Sequence, residues 1–418
     1  MKKENGITLV ALVVTIVVLI IIAGVTLSLT IGNGGIMKRA KTAVNDYASQ
    51  DTKEEKYFND LADWVDKNGK ESGMAKVPVN TKATKNGTIN GQEPNINNPI
   101  IPQGYTPIDA GDAKWGNGSS APTQDSVDHG LVIKDDAGNE WVWVPVEASV
   151  LSSMCVTSND EIALSGDVGV TTNLYTNSTI IGKTGDTYTL LRSTPNTTDY
   201  REPDLVTECD KNESCYKTIL GYDTPKVMAE AFTADYAKMI ASIQKYGGFY
   251  IGRYELSNEG VQKEKATLTN TNWYNLYKKC TTLNASDKVE SKMIWGIQWD
   301  LACDFISQKG EQKSITNSTA WGNYNNSNGS AAVMDGETKK YGSKQVTGYS
   351  EYWKANNIYD LAGNCWEWSQ EEYGTKFRVS RGGVCNGDGS DSPVPYRNNY
   401  GANYSNNFFG SRPTLIIK

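Results

Sequence analysis

Asn357-Ile358-Tyr359-Asp360-Leu361-Ala362-Gly363-Asn364-Cys365-Trp366-Glu367-Trp368 carries the reading of the fold. Asp360 and Asn364 stand close to Gly363, which marks a turn, because glycine supplies the positive φ that a tight turn needs. Trp366 and Trp368 alternate across Glu367. In a strand that spacing puts both indoles on one face, and rings of that size belong in a core. Glu367 between them is expected to accept hydrogen bonds from backbone or from an arginine. Working outward, Gly382 and Gly383 after Arg381 permit a tight backbone approach. Gly130-Leu131-Val132-Ile133-Lys134 and Glu140-Trp141-Val142-Trp143-Val144-Pro145-Val146 flank an Asp136–Asn139 turn and read as a hairpin. Phe249–Glu255 reads as a further strand, and Pro225–Tyr246 and Gln298–Ile306 as helices. Runs of both kinds in one chain give an α+β class.

Composition bounds the chemistry. The chain has 418 residues and a net charge of −7, and no dense Lys/Arg cluster lies outside Lys38, Arg39 and Lys41. Nucleic acid is therefore not an expected partner. Of 11 tryptophans, nine fall between Trp141 and Trp368, so a large core is expected there. His129 is the single histidine, which excludes multi-histidine metal sites and leaves one residue for any Ser–His or Cys–His system. The seven cysteines form no CxxC pair. Cys209 and Cys215 could close a small disulfide in an oxidising compartment, whereas Cys303 and Cys365 read as buried small hydrophobes.

These motifs together resemble the formylglycine-generating-enzyme (sulfatase-modifying) family, whose architecture is C-type-lectin-like. The resemblance is carried by Gly248–Glu255, Gly296–Ala302, Asn357–Trp368, Arg378–Gly383 and Gly410-Ser411-Arg412-Pro413. It implies a lectin-like domain over 123–418 in which Trp366, Glu367, Trp368, Gly382, Gly383 and Arg412 build the scaffold. Catalytic members place two cysteines, about five apart, shortly after the Arg-Gly-Gly motif to bind copper. This chain has Cys385 where members commonly carry an aromatic residue, and no cysteine follows it. No catalytic residue is therefore assigned and the chain is not expected to be an enzyme. Carboxylate pairs such as Asp300 with Asp360 or Glu367 could support acid–base chemistry only in a geometry that sequence does not show. Family members often carry calcium, but no acidic loop here resembles a calcium site, so neither metal nor cofactor is expected.

The N-terminal segment has its own character. Ile7–Ile31 is 25 residues without a charge, long enough to cross a bilayer as a helix. Gly6-Ile7-Thr8-Leu9-Val10-Ala11 resembles the class III signal of type IV pilins, which implies a leader over 1–6 and cleavage between Gly6 and Ile7. Ala11 stands where that family has a glutamate used in filament packing, which bears on pilin-type assembly and not on anchoring. A plain single-span anchor is the alternative. Apolar residues at three/four spacing extend the helix to about Asn68, giving a span and stalk over 7–68. The charges flanking the span do not fix orientation, but domain size and cysteines favour a C-terminus outside the cell. Residues 69–122 hold six prolines and few aromatics, and read as a Pro/Asn/Gly-rich, mostly extended spacer, part of it free to pack on the domain.

The tail over 385–413 is rich in Asn, Tyr and Ser: Asn386, Asp388, Ser390, Asp391, Tyr396, Asn398, Asn399, Tyr400, Asn403, Tyr404, Ser405, Asn406, Asn407 and Phe408. Tyrosine gives rigid contact area and short polar side chains adapt their hydrogen bonds, the combination used by antibody loops. The segment also resembles the variable region of retroelement-diversified proteins, where adenine-directed mutagenesis converts Asn codons to Tyr, Ser and Asp just before a Gly-x-Arg-Pro end. The expected function is a surface-displayed receptor or adhesin whose tail contacts an external protein or glycan. A pseudopilin-like filament subunit and an inactive or novel sulfatase-modifying oxidoreductase are the alternatives.

Overall fold

The computed structural model describes residues 74–418 except 117, 164–170, 178–180, 185–186, 191–199, 202–211, 285 and 374–376. The leader, the Gly6–Ile7 processing site, the Ile7–Ile31 span, the stalk and Cys209 lie outside the described residues. Among the described residues no helix is long and apolar enough to cross a membrane.

Eleven strands make the two larger sheets: β1 Thr106–Ile108, β2 Val132–Lys134, β3 Glu140–Pro145, β4 Tyr200–Arg201, β5 Gly248–Gly252, β6 Val289–Met293, β7 Trp366–Tyr373, β8 Phe377–Arg381, β9 Asn398–Tyr400, β10 Phe409–Ser411 and β11 Pro413–Ile417. The longer helices are α1 Pro225–Tyr246, α2 Trp273–Thr282 and α3 Gly296–Gln308. The first sheet runs β6-β11-β5-β3-β2-β1, and every pairing in it is antiparallel. The second runs β4-β7-β8-β9, with β10 parallel to β7. Two further hairpins, Cys155–Ala163 with Thr171–Asn177 and Ile181–Thr184 with Thr187–Leu190, fill the insertion between β3 and β4. This is a mixed helix and sheet architecture. The expected hairpin is β2–β3, and α1 has the bounds the sequence signalled. Thr224 caps its first turn by accepting from Val227 N (3.2 Å), Pro225 opens it, and Gly247 closes it at φ 77°. Helix α2 was not anticipated. Asn272 caps it, and Trp273, Leu276, Tyr277 and Cys280 bury one face at three/four spacing.

Strand β3 is buried on both faces because its residues alternate between two cores. Val142 and Val144 join the large cluster beneath the helices, with Phe249, Ile251, Trp299 and Trp368. Trp141 and Trp143 point the other way, into a second cluster with Tyr250, Leu415 and Ile417. That second cluster corrects the spacer reading of 69–122. Val77, Ala83, Ile89, Ile100, Ile101, Tyr105, Ala113 and Trp115 are all buried in it, and Ser72–Lys418 forms one compact unit. Tyr250 OH donates to Ile100 O (2.9 Å), Trp143 Nε1 to Ile96 O (3.1 Å), and Trp115 Nε1 to Val132 O (2.8 Å). A segment too poor in apolar residues to fold alone can still serve as the second layer over a sheet face that already carries two indoles.

Trp366 and Trp368 are buried, packing on Phe409 at ring-centroid distances of 6.4 and 5.3 Å. Gly382 and Gly383 sit at φ 91° and 80°, and a Cβ on Gly383 would meet Ser392 O at 2.4 Å. Between the two tryptophans, Glu367 receives Arg412 in a two-pronged pair, Nε to Oε2 at 2.9 Å and Nη2 to Oε1 at 2.6 Å. Arg412 also donates to Gly252 O and Tyr359 O, each at 2.8 Å. Both side chains are fully buried. Arg412→Met should therefore lower stability by about 3–5 kcal/mol, because it strands a buried carboxylate. Glu367→Leu/Arg412→Met should lose less than the single variant, as read from urea unfolding of each.

Candidate functional site

The tail leaves β8 at Arg381 and returns as β10, so both its ends are pinned beside β7. At the start, Gly382 O accepts from Tyr324 OH (2.7 Å), and Cys385 N donates to Asn364 O (3.1 Å). Further along, Val394 O accepts from Trp299 Nε1 (3.0 Å), while Val394 N donates to Ser318 Oγ (3.0 Å). Ala402 O accepts from Trp273 N (3.0 Å), the first residue of α2. Strand β9 pairs antiparallel with β8, Asn398 opposite Ser380 and Tyr400 opposite Arg378.

The residues that face inward are Val384, Cys385, Gly389, Pro393, Val394, Pro395, Arg397, Ala402 and Phe409. None of the residues expected to contact a ligand is among them. Asn386, Asp391, Tyr400, Asn403, Ser405 and Asn407 are exposed, and Asp388, Ser390, Tyr396, Asn398, Asn399, Tyr404, Asn406 and Phe408 are half-buried. Tyr400, at 40% exposure, stacks on Tyr404 with ring centroids 4.5 Å apart and planes 14° from parallel. Phe409 meets both rings edge-on, at 5.4 and 5.3 Å. Tyr396 lies 5.9 Å from Trp366. The outer tyrosines thus stand on aromatic rings of the core.

Some of these side chains hold the loop itself. Asp388 accepts from Ser390 N (2.7 Å), Ser390 Oγ (2.5 Å) and Asp391 N (3.2 Å), and those bonds, the hydroxyl of Ser390 first, hold its carboxyl below the usual range. Asn406 Oδ1 accepts from Phe408 N (2.9 Å) and its amide donates to Tyr404 OH (3.2 Å). Asn398 Oδ1 accepts from Asn399 N (3.0 Å). The side chains of Asn386, Asn399, Asn403, Ser405 and Asn407 make no hydrogen bond among the described residues, which leaves their amides and hydroxyl open to a partner.

A cluster that the sequence did not disclose lies beneath this surface. Arg381 Nη2 and Nη1 reach Asp300 Oδ1 (2.5 Å) and Glu371 Oε2 (3.0 Å). Arg397 Nε reaches Glu371 Oε1 (2.7 Å), and its Nη2 reaches Asp300 Oδ2. The result is a closed ring of two guanidinium groups and two carboxylates, all buried. Arg397 is one of three charged residues between Cys385 and Phe409, with Asp388 and Asp391. Its partners are 26 and 97 residues away in the chain, beyond any local pattern.

The groups weighed for acid–base work are spread between this ring and a second buried cluster. Asp300 is committed to the ring. Asp360 and Glu367 lie near Glu255 and Arg412. Glu255 accepts from Thr267 Oγ1 (2.5 Å), Asn364 Nδ2 (2.7 Å) and Cys365 N (3.2 Å), yet burial pushes its carboxyl well up. Burial also raises Glu367, against the pull of Arg412. Cys303, Cys365 and Cys385 are buried thiols, as the first two were expected to be, and burial lifts Cys385 to about 11. Among the described residues no group of His, Cys, Asp and Glu side chains could hold a metal ion. His129 ends a short helix with Nδ1 2.7 Å from Asp125 O.

Asp360 has one partner for Oδ2, Gly348 N at 2.6 Å, and none for its buried Oδ1. Burial first, and then the charge of Glu367, raise it from an ordinary 3.8 to about 7, while Gly348 N–H and Arg412 oppose the rise. The proton is held more tightly in the folded state. Its contribution to stability is complete below about pH 3.8 and is lost as pH rises through about 7. Asp360→Asn should therefore gain stability relative to the parent as pH rises from 4 to 7, and hold that gain above 7. Urea midpoints of the two proteins across that range measure it, and a constant difference would show that Asp360 does not titrate there.

No protein-family model matches the chain, and no curated protein matches its sequence. Among solved structures it is similar to Treponema denticola variable protein 1, at 15% identity over 41% of this chain and 85% of that one, with a TM-score of 0.28. It is also similar to the structure titled "Crystal Structure of CarF", at 14% identity over 41% of this chain and 87% of that one, again with a TM-score of 0.28.

Proposed function

We propose that the chain is a single-pass, membrane-anchored binding protein that holds a C-type-lectin-like domain outside the cell and presents its tail to an external protein or glycan. One observation carries the reading. Between Cys385 and Phe409, residue type and exposure divide together: every Asn and every Tyr is exposed or half-buried, and the buried positions are taken by apolar residues, Gly, Pro and Arg397. A loop whose adaptable polar and aromatic residues all face out, on a scaffold fixed by buried rings, suits contact with a partner. The same division suits diversification by a retroelement, since changes at Asn codons would alter the surface and spare the core. Anchoring rests on the uncharged Ile7–Ile31 run. Binding is favoured over redox catalysis because Cys385 is buried, with its thiol raised to about 11 and no second cysteine after it.

Tyr400 is the best probe of the three tyrosines, because it is exposed at 40% whereas Tyr396 and Tyr404 are half-buried against Trp366 and Phe409. The full chain in detergent should bind a member of an immobilised glycan or surface-protein array. Tyr400→Ala and Asn403→Ala should each weaken that binding at least tenfold, Asn403→Ala without moving the urea midpoint and Tyr400→Ala with a loss of stability small beside the roughly 3–5 kcal/mol that Trp368→Ala should cost. Binding indifferent to both surface substitutions would sink the assignment. Sequencing the tail across strains should find variation at the outward Asn and Tyr positions and constancy at Val394, Arg397, Ala402 and Phe409. An invariant tail would end the diversification reading.

A further inference from the structure

We propose that Arg397 is a positioning residue, which sets the conformation of the contact surface from within through its ring with Asp300, Glu371 and Arg381. The proposal rests on the reading of the tail as the contact surface. Strand β9 is only three residues long. So short a ladder specifies its register weakly, and a slip of one residue would exchange the faces on which Asn399 and Tyr400 lie. Arg397 immediately precedes β9. Its guanidinium is tied to α3 through Asp300 and to β7 through Glu371, two elements that lie outside the loop. Arg381 adds a second strap by donating to Pro395 O (3.2 Å). A planar fork meeting two carboxylates at once permits one placement of the main chain, which a single flexible ammonium would not define as tightly. At about 3.3 Å per residue, Tyr400 stands roughly 10 Å beyond this anchor, within the reach of its control.

The ring is neutral as built, with two positive and two negative groups. Removing Arg397 alone would leave two buried carboxylates on one guanidinium and threaten the whole fold. The informative variant is Glu371→Gln/Arg397→Gln, which keeps the Asp300–Arg381 pair and the charge balance. Hydrogen exchange of the full chain in detergent reads the result without any ligand. Amides over 396–408 should exchange at least tenfold faster in this variant, while those of β5 and β11 keep their protection. Arg397→Lys, with charge but no fork, should fall between the double variant and the parent. Tail protection within twofold of the parent in the double variant would overturn the proposal. Equal loss of protection in β5 and β11 would also overturn it, by making the ring part of the general core. If exchange fails in either way while Tyr400→Ala still abolishes array binding, the contact surface stands without Arg397 as its anchor.

Discussion

Arg412 is the point at which the chain leaves one sheet and enters the other. It lies between β10, which pairs with Trp366–Trp368, and β11, which pairs with β5 and β6. Its guanidinium closes the crossing by gripping Glu367 in β7, Gly252 O at the end of β5 and Tyr359 O. A buried arginine has no water to fall back on, so its donors must be met by acceptors held at fixed positions. Both sheets are thereby held to one geometry. The indoles on either side of Glu367, and the tyrosines standing on Phe409, inherit their places from that constraint.

The tail repeats the device on a smaller scale. A polar, glycine-bearing loop cannot hold its shape by burial, because its outward residues bury little. Order comes from inside: the indole N–H of Trp299 on Val394 O, the first amide of α2 on Ala402 O, and the arginine–carboxylate ring under Arg397. Loop geometry is therefore carried mainly by the inward residues, with Asp388, Asn398 and Asn406 fixing short turns from the surface. The side chains of Asn386, Asn399, Asn403, Ser405 and Asn407, which bond to none of the described residues, can change without disturbing the bonds that fix the main chain. A surface built this way tolerates substitution at those positions while its backbone stays in place.

Much of the scaffold was legible in the sequence because it is written locally. The alternation of Trp366 and Trp368, the paired glycines at 382 and 383, and the Pro225–Tyr246 run are short-range signals: both indoles are buried, both glycines lie at positive φ, and α1 spans Pro225–Tyr246. Two readings were limited by the same physics. Residues 69–122 looked like a spacer because composition judges whether a segment can fold alone, and the apolar residues from Val77 to Trp115 instead cover the Trp141 and Trp143 face of β3. Helix α2 was missed among turn-rich neighbours because its apolar face is mostly aromatic and its stripe is short.

By itself the sequence determined the α+β class, the tryptophan core, the absence of a cysteine pair after Gly383, and a tail of Asn, Tyr and Ser. Those properties depend on residue type and near-neighbour spacing. Only the tertiary structure decided which tail residues face water, that Arg397 points inward, and that Asp360 lies near Glu255, Glu367 and Arg412. Burial and charge pairing join residues tens to hundreds of positions apart, and no local periodicity records which of them will meet.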